Sequence, residues 1–376
     1  METNNKINYC DVKHTRYIEP FNLHTKKYSE WLANPSGKYF FIVPIANIFN
    51  CEDKIQEAKN NKDVYVLFSD VLEGYALRYF PDLYECTQKY DCINKIYFAT
   101  GLYQAEAEYN RWLREKKLKK TFQVFYYPEW YHRVYDNYYD QPLDNIPYTK
   151  DYVYCCLNNR PRAHRMQTVA YLNHLNLLRP NIGKVSCLDN HYEKDTNKLT
   201  PEQLLFPYSH NYSDKHKQIL KTQQTELWKK LPLNIDTEDF SAGCRPHDYN
   251  PGIYNDCFFN IVTETHYHTV HQKHYHIFLS EKMWKPIVCK QAFIVIGPKN
   301  TLQYLKKLGF KTFSCIINES YDSEDESTRL FSAIDALNEA QQKYSVAEMN
   351  SMTKQIRKHN LKHFIKIQKS MVKTCW

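Results

Sequence analysis

Four short apolar runs, Tyr39 to Ile45, Val64 to Phe68, Lys95 to Ala99 and Phe122 to Tyr127, are separated by stretches with helical spacing such as Glu52 to Asn60 and Gln104 to Lys117. Runs of strand length that alternate with helices predict a parallel sheet with crossover helices, because each strand must return to the same edge through a connection long enough to carry a helix. A turn signal, Pro35-Ser36-Gly37, precedes the first run, and residues 1 to about 35 read as a polar, aromatic-dotted arm. Gln141 to Thr149, with two prolines and no apolar period, reads as a linker.

The alternation then begins again. A strand is expected at Tyr152 to Leu157, a helix from Ala163 to Leu178 and a strand at Lys184 to Leu188. Ser213 to Leu231 is helical, with a capping serine and Pro232 as its stop, and it sits in a polar region as an insertion would. Later come the strand Cys257 to Val262, the helix Glu281 to Cys289, the strand Ala292 to Ile296, a short helix Thr301 to Leu308 and a strand at Thr312 to Ile317. The expected organisation is an arm at 1–35, a Rossmann-like domain at 36–147, a second at 148–344 and a basic helix at 345–376.

Composition narrows the class. A chain of 376 residues with 43% apolar and 24% charged residues fits two ordinary globular domains of about 100 to 200 residues each. No run approaches the ~20 apolar residues of a membrane span, and the polar N-terminus lacks the apolar core of a signal peptide. The 12 cysteines include no C-x-x-C pair, so no zinc ribbon or thioredoxin motif is written, and a cytoplasmic location is expected. Among the eight glycines there is no G-x-G-x-x-G and no P-loop, which counts against classical dinucleotide oxidoreductases and P-loop kinases.

The net charge of +8 is concentrated at one end: after Glu348 there is no acidic residue, while Lys354, Arg357, Lys358, Lys362, Lys366, Lys369 and Lys373 follow. The remainder is close to neutral, so global attraction to nucleic acid is not implied. A local patch at Arg111, Arg114, Lys116, Lys117, Lys119 and Lys120 reads first as a solvated helix face. The terminal helix, Val346 to Val372, offers Met349, Met352, Ile356, Leu361, Phe364, Ile365 and Ile367 for a buried side, and contact with a membrane surface or acidic acceptor is the competing use of its basic side.

Three segments carry chemistry. Arg160, Arg162 and Arg165 lie where a buried strand gives way to a helix, the place where helix amides and guanidinium forks favour a phosphate or diphosphate. The bland alternative is that they cap a turn and pair with surface carboxylates. Ser280 is a helix cap, and Glu281 and Lys282 occupy the first turn, where a carboxylate can accept from ribose hydroxyls and an ammonium can offset phosphate charge. Glu281 can equally serve the helix dipole alone, with Lys282 solvated; Trp284 and Ile287 read as core, and Pro286 predicts a short or bent helix. Glu264 ends the strand Phe258 to Thr263 and is either a ligand contact or the first residue of an exposed loop.

The Arg-x-Arg segment, the Val-Thr-Glu-Thr strand end and Ser-Glu-Lys-x-Trp-Lys-Pro-Ile followed by Ile-Val-Ile-Gly-Pro resemble the nucleotide-sugar half of fucosyltransferase-like GT-B glycosyltransferases, their viral and phage members above all, over roughly residues 151 to 325. The resemblance implies two Rossmann-like domains facing a cleft, with the terminal helix packing back on the first, and, for a viral chain, the host cytoplasm. It implies a nucleotide diphosphate-sugar donor, with Arg160, Arg162, Glu281 and Lys282 holding diphosphate and ribose, Arg165 less directly, and inversion at the transferred sugar. The acceptor is a hydroxyl, of a glycan or lipid-linked sugar, or of a hydroxymethylated base in double-stranded DNA. A non-catalytic nucleotide- or nucleic-acid-binding module on the same fold is the alternative.

The histidine-rich insert between Thr265 and Phe278 departs from that pattern. Its five imidazoles, His266, His268, His271, His274 and His276, can ligate a metal, but the spacing matches no closed zinc set, and a mobile polar loop is favoured. With no D-x-D in the chain, metal dependence and a resident cofactor are not expected; cationic side chains and helix amides would carry the leaving charge. A base for the acceptor is expected from the first domain, where the strand Val64 to Phe68 runs into Asp70 and Glu73; either can instead be a helix-capping or first-turn carboxylate.

Overall fold

The computed structural model describes residues 8–10, 23–72, 74, 76–139, 147–158, 160–188, 200–233, 235, 251–267 and 277–373. These fall into two compact units, one of residues 1–132 with 276–278 and 367–376, the other of 133–275 with 279–366.

The first unit opens with two short strands, β1 (Asn8–Cys10) and β2 (Leu23–Thr25), and helix α1 (Tyr28–Ala33). It continues through β3 (Tyr39–Pro44), α2 (Glu52–Asn60), β4 (Val64–Asp70), α3 (Phe80–Lys89), β5 (Ile96–Thr100), α4 (Ala105–Lys116) and β6 (Gln123–Tyr126). The six strands form one parallel sheet in the order β2-β1-β3-β4-β5-β6. Alternate residues of β3 serve opposite faces: Tyr39, Phe41 and Val43 join one apolar cluster with Val66, Phe68 and Phe98, while Phe40 and Ile42 join another with Leu67, Ala99 and Phe125. Both faces are therefore covered, as a parallel sheet requires. The arm before residue 36 gives no apolar period in the sequence, yet it adds β1 and β2 to the sheet and buries Trp31 against Tyr39. Its signal is aromatic rather than periodic.

Phe278 also belongs to this unit. Its ring lies over Gly74 and Gly101, where an added Cβ would come within 2.5 and 2.6 Å of existing atoms, and Gly74 has φ +69°. Only glycine satisfies both demands at residue 74.

Helix α5 (Glu129–Tyr139) follows β6, and its residues from Arg133 onward are grouped with the second unit. That unit contains β7 (Tyr152–Asn158), α6 (Ala163–His174), β8 (Gly183–Cys187), α7 (Pro201–Leu205), α8 (Asp214–Glu226), α9 (Pro251–Asp256) and β9 (Cys257–Thr263). It ends with α10 (Glu281–Val288), β10 (Ala292–Ile296), α11 (Thr301–Lys307), α12 (Arg329–Lys343) and α13 (Val346–Lys373). Its four parallel strands are ordered β10-β9-β7-β8, and every residue of β9 and β10 is buried. The chain is thus α/β with two parallel, Rossmann-like sheets.

The strand expected at Thr312 to Ile317 does not form. Glu319 accepts from the Phe313 amide at 2.6 Å and the Thr312 hydroxyl at 2.7 Å, and the amides of Ile316 and Ile317 turn back to the Phe313 carbonyl. The amides of Phe313, Ile316 and Ile317 are consumed in a turn and are lost to a ladder beside β10.

Helix α13 is anchored by polar groups. Arg357, 1% exposed, donates to the carbonyls of Tyr148, Lys290 and Asn350, to Asn350 Oδ1 and to Thr353 Oγ1. Asn350 Nδ2 reaches the Lys150 carbonyl, and Asn360 bonds both backbone groups of Lys311. Met349, Leu361 and Phe364 are buried as the sequence suggests, whereas Met352 and Ile365, expected on the same side, are 45% and 41% exposed. The helix up to Lys366 belongs to the second unit and its remainder to the first.

Candidate functional site

At the carboxyl ends of β7 and β9 the second unit brings together the segments singled out in the sequence. Asn158 ends β7 buried, and its Oδ1 accepts from Thr263 Oγ1 at 2.5 Å, tying the ends of the two strands together. Beyond each end a helix starts: α6, whose N-cap is Arg162, and α10, whose N-cap is Ser280.

Glu264 joins the two. Its side chain is wholly buried, its Oε2 accepts from Ser280 Oγ at 2.6 Å and from the Thr265 amide at 3.0 Å, and its Oε1 accepts from the Ser280 amide at 3.1 Å. The residue does not open an exposed loop. Its own carbonyl faces His164 Nε2 at 2.8 Å, and its amide donates to Ile296, so Glu264 touches α6, α10 and β10 at once. Gly297 packs against it: a Cβ there would lie 3.1 Å from that of Glu264. Burial raises the Glu264 carboxyl above its ordinary value, while Lys282 and the Ser280 hydrogen bond pull against that rise.

Glu281 behaves in the opposite sense. Burial pushes its carboxyl up, but the charges of Lys282 and Lys285 and a hydrogen bond from Lys282 outweigh burial, and the net value lies below the usual range. Lys282 Nζ donates to Glu281 Oε1 at 2.5 Å and stays about a quarter exposed, so it is neither free in solvent nor sequestered. Ser280 Oγ also accepts from the Lys282 amide at 3.4 Å, leaving the cap bent toward both its neighbours.

On the other side, the α6 N-cap Arg162 has no side-chain capping bond, and its guanidinium donates to the Thr265 carbonyl. Arg160 is exposed. Arg165 is 4% exposed, donates to the carbonyls of Arg160 at 3.2 Å and Thr263 at 3.4 Å, and keeps a buried Nε–H without an acceptor among the described residues. Burial and then Arg162 push its guanidinium down to about 10, partly offset by Glu281 and Glu264. It stays charged at neutral pH. The arginine segment and the Ser-Glu-Lys segment therefore flank one carboxylate, at the strand ends where an open α/β sheet offers amides and cations to a ligand.

Sequence reasoning missed the layer behind this. Tyr267 stacks on His164 with ring centroids 5.4 Å apart, and Arg329 lies over the other partner of that stack, 4.8 Å from the Tyr267 ring, while its Nε donates to the Gly297 carbonyl. Tyr267 is held in turn by the Glu326 carbonyl and the Leu330 amide. No local pattern announces Arg329 as part of this layer, because the Gly297 carbonyl and the Tyr267 ring that it meets there are distant in sequence; the His164 in the arginine segment was the one available hint.

Asp70 ends β4 in the first unit and is 8% exposed, its carbonyl accepting from the Gly74 and Gly101 amides. Glu73 lies outside the described residues, as do His268, His271, His274 and His276 of the histidine-rich insert. Among the described residues there is no group of three potential metal ligands, and no helix is long and apolar enough to cross a membrane.

No protein-family model and no curated protein sequence matches this chain. Among solved structures it is similar to a glycosyltransferase from Rickettsia africae ESF-5, at 8% identity and a TM-score of 0.37, over 97% of this chain and 88% of that one. It is also similar to a UDP-forming alpha,alpha-trehalose-phosphate synthase from Burkholderia vietnamiensis, at 9% identity and a TM-score of 0.31, over 88% of this chain and 79% of that one. An alpha,alpha-trehalose 6-phosphate synthase from Burkholderia multivorans is 8% identical with a TM-score of 0.35, over 92% of this chain and 72% of that one.

Proposed function

We propose that the second unit binds the diphosphate of a nucleotide-sugar at the starts of α6 and α10, and that the chain is a GT-B glycosyltransferase that passes the sugar to a hydroxyl acceptor. The observation that carries the reading is the juxtaposition around Glu264. The start of α10, which bears Lys282, is fixed to the buried Glu264 carboxylate, the start of α6, which bears Arg162, meets the backbone carbonyls of Glu264 and Thr265, and Arg165 beside them retains a buried N–H with no acceptor among the described residues. Groups held this way need little reorganisation as charge develops on a leaving diphosphate.

In the proposed reaction the acceptor oxygen bonds to the anomeric carbon as the bond to the diphosphate oxygen breaks, with inversion, and the hydroxyl proton passes to a carboxylate. Arg160, Arg162 and Lys282 would offset the leaving charge, Glu281 would accept from ribose hydroxyls, and Arg165 would supply its Nε–H. Metal independence belongs to the proposal because the sequence has no D-x-D to bridge a metal to a diphosphate. Asp70 and Glu73 are the proposed bases, and the acceptor class is a glycan, a lipid-linked sugar or a hydroxymethylated DNA base.

Thermal unfolding with UDP-, GDP-, CDP- and ADP-sugars tests it, since only a ligand that prefers the native state raises the midpoint. One nucleotide series should raise the midpoint, and Lys282→Ala should weaken that binding roughly 10- to 100-fold, the range expected for losing one hydrogen bond to a charged group. A flat response to all four series would overturn the proposal.

A further inference from the structure

The solvent face of α13 carries a feature that the sugar-nucleotide site does not use. Lys354, Lys358, Lys362 and Lys366 recur every four residues, and all four are exposed. At 3.6 residues per turn they fall within an arc of about 120° and span ~18 Å along the axis. Like charges at this spacing repel, and the chain has no acidic residue after Glu348 to relieve them. What holds the helix is its other face, where Arg357, Asn350 and Asn360 are bound to the second unit. The segment after α11 runs alongside: His359 Nε2 meets the Gly309 carbonyl at 3.0 Å, and Lys307 and Lys311 are exposed on either side of Gly309.

Two apolar side chains share this face. Ile365, 41% exposed, falls about 20° from Lys354 on the helical wheel, inside the lysine arc, and Met352, 45% exposed, falls just beyond its edge. We infer that the outer face of α13 docks on an anionic lipid surface. Lysines on a straight helix lying in the headgroup layer reach phosphate and carboxylate groups, while Ile365 and Met352 enter the boundary just below. A nucleic-acid backbone would match the charge but leave both apolar side chains in water. The inference is independent of the sugar-nucleotide reading.

Sedimentation of the full chain with phosphatidylcholine vesicles, with and without phosphatidylserine, tests it at low and high salt. Binding should require phosphatidylserine and fall with salt. A basic residue near such a surface is worth about fivefold in partitioning, so K354Q/K358Q/K362Q/K366Q should lose on the order of several hundredfold. M352A/I365A should weaken binding at both salt levels, and Gln at Lys116, Lys117, Lys119 and Lys120 should leave it unchanged. If the fourfold variant melts earlier than the parent, Lys358→Gln alone should still lose about fivefold. The inference fails if phosphatidylserine vesicles are not bound at low salt, if the fourfold variant binds them as the parent does, or if the four lysines matter for duplex DNA but not for vesicles.

Discussion

Glu264 receives both the hydroxyl and the amide of Ser280, at 2.6 and 3.1 Å, so a carboxylate at the end of β9 fixes where α10 begins. The N-cap residue here is itself capped. Because Ser280 Oγ is turned to Glu264 and also accepts from the Lys282 amide, the first turn of α10, with Glu281 and Lys282 on it, is set by the sheet and not by the loop that precedes it.

Glu264→Gln should therefore destabilise the fold. The amide side chain puts an NH2 where one of three donors now finds an oxygen, leaving a buried donor unpaired at a cost of about 1 to 3 kcal/mol. Urea unfolding would read this as a lowered midpoint with an unchanged slope. Ser280→Ala should lose less, because the Ser280 amide still reaches Glu264. Equal stability of Glu264→Gln and the parent would mean that the carboxylate does not hold the helix start.

The two neighbouring carboxylates should respond to pH in opposite directions. For Glu281 the folded value is lowered, since Lys282 and Lys285 outweigh burial; the unfolded chain then takes up a proton first on acidification, and stability present above the ordinary carboxyl range is lost as pH falls through the folded value. For Glu264 burial raises the folded value, so its contribution is lost as pH rises from the ordinary carboxyl range through that raised value. Urea midpoints measured across the acid range should show a shallower acid loss in Glu281→Gln than in the parent. A steeper loss would contradict the Lys282 pairing.

How much of this was legible in the sequence depends on the range of the interactions. Strands β9 and β10 and helices α2 and α10 are written in local apolar period and caps, and Ser280 and Pro286 fall where the sequence predicts a cap and a short helix. The residues 312–317 have a strand-like apolar pattern, but Glu319 draws their backbone into a turn. For Glu264 the sequence leaves a ligand contact and the first residue of an exposed loop equally open, because its three donors come from two segments, one of them across the histidine-rich insert. In the sequence Arg357 is one more positive charge of the basic terminal helix, and only the carbonyls it meets in the fold, from Tyr148, Lys290 and Asn350, explain its burial.

Glu73→Gln tests the proposed proton acceptor. Amide nitrogen cannot take up the hydroxyl proton, so transfer should fall by roughly 100- to 10,000-fold, the usual range for losing a general base, while the midpoint shift given by the nucleotide-sugar stays. Asp70→Asn is the matching variant at the buried end of β4. Full transfer activity in Glu73→Gln would remove that residue from the mechanism and leave Asp70 as the proposed base.

Arg357 and Lys358 make a paired test of which positive charges on α13 are structural. Arg357→Met fills part of the space but leaves the carbonyls of Tyr148, Lys290 and Asn350 without their donors in a buried place, where each hydrogen bond to a charged group is worth about 1.5 to 3 kcal/mol. Burial has already pushed the guanidinium down to about 10, so part of that gain is offset by desolvation, and a net loss of roughly 3 kcal/mol is expected. Arg357→Lys should recover only part of it, because a single ammonium cannot span acceptors arranged around a planar fork. Lys358→Gln, one residue on and exposed, should stay within about 0.5 kcal/mol of the parent. Equal unfolding midpoints for Arg357→Met and Lys358→Gln would show that the helix is not held to the second unit by this residue.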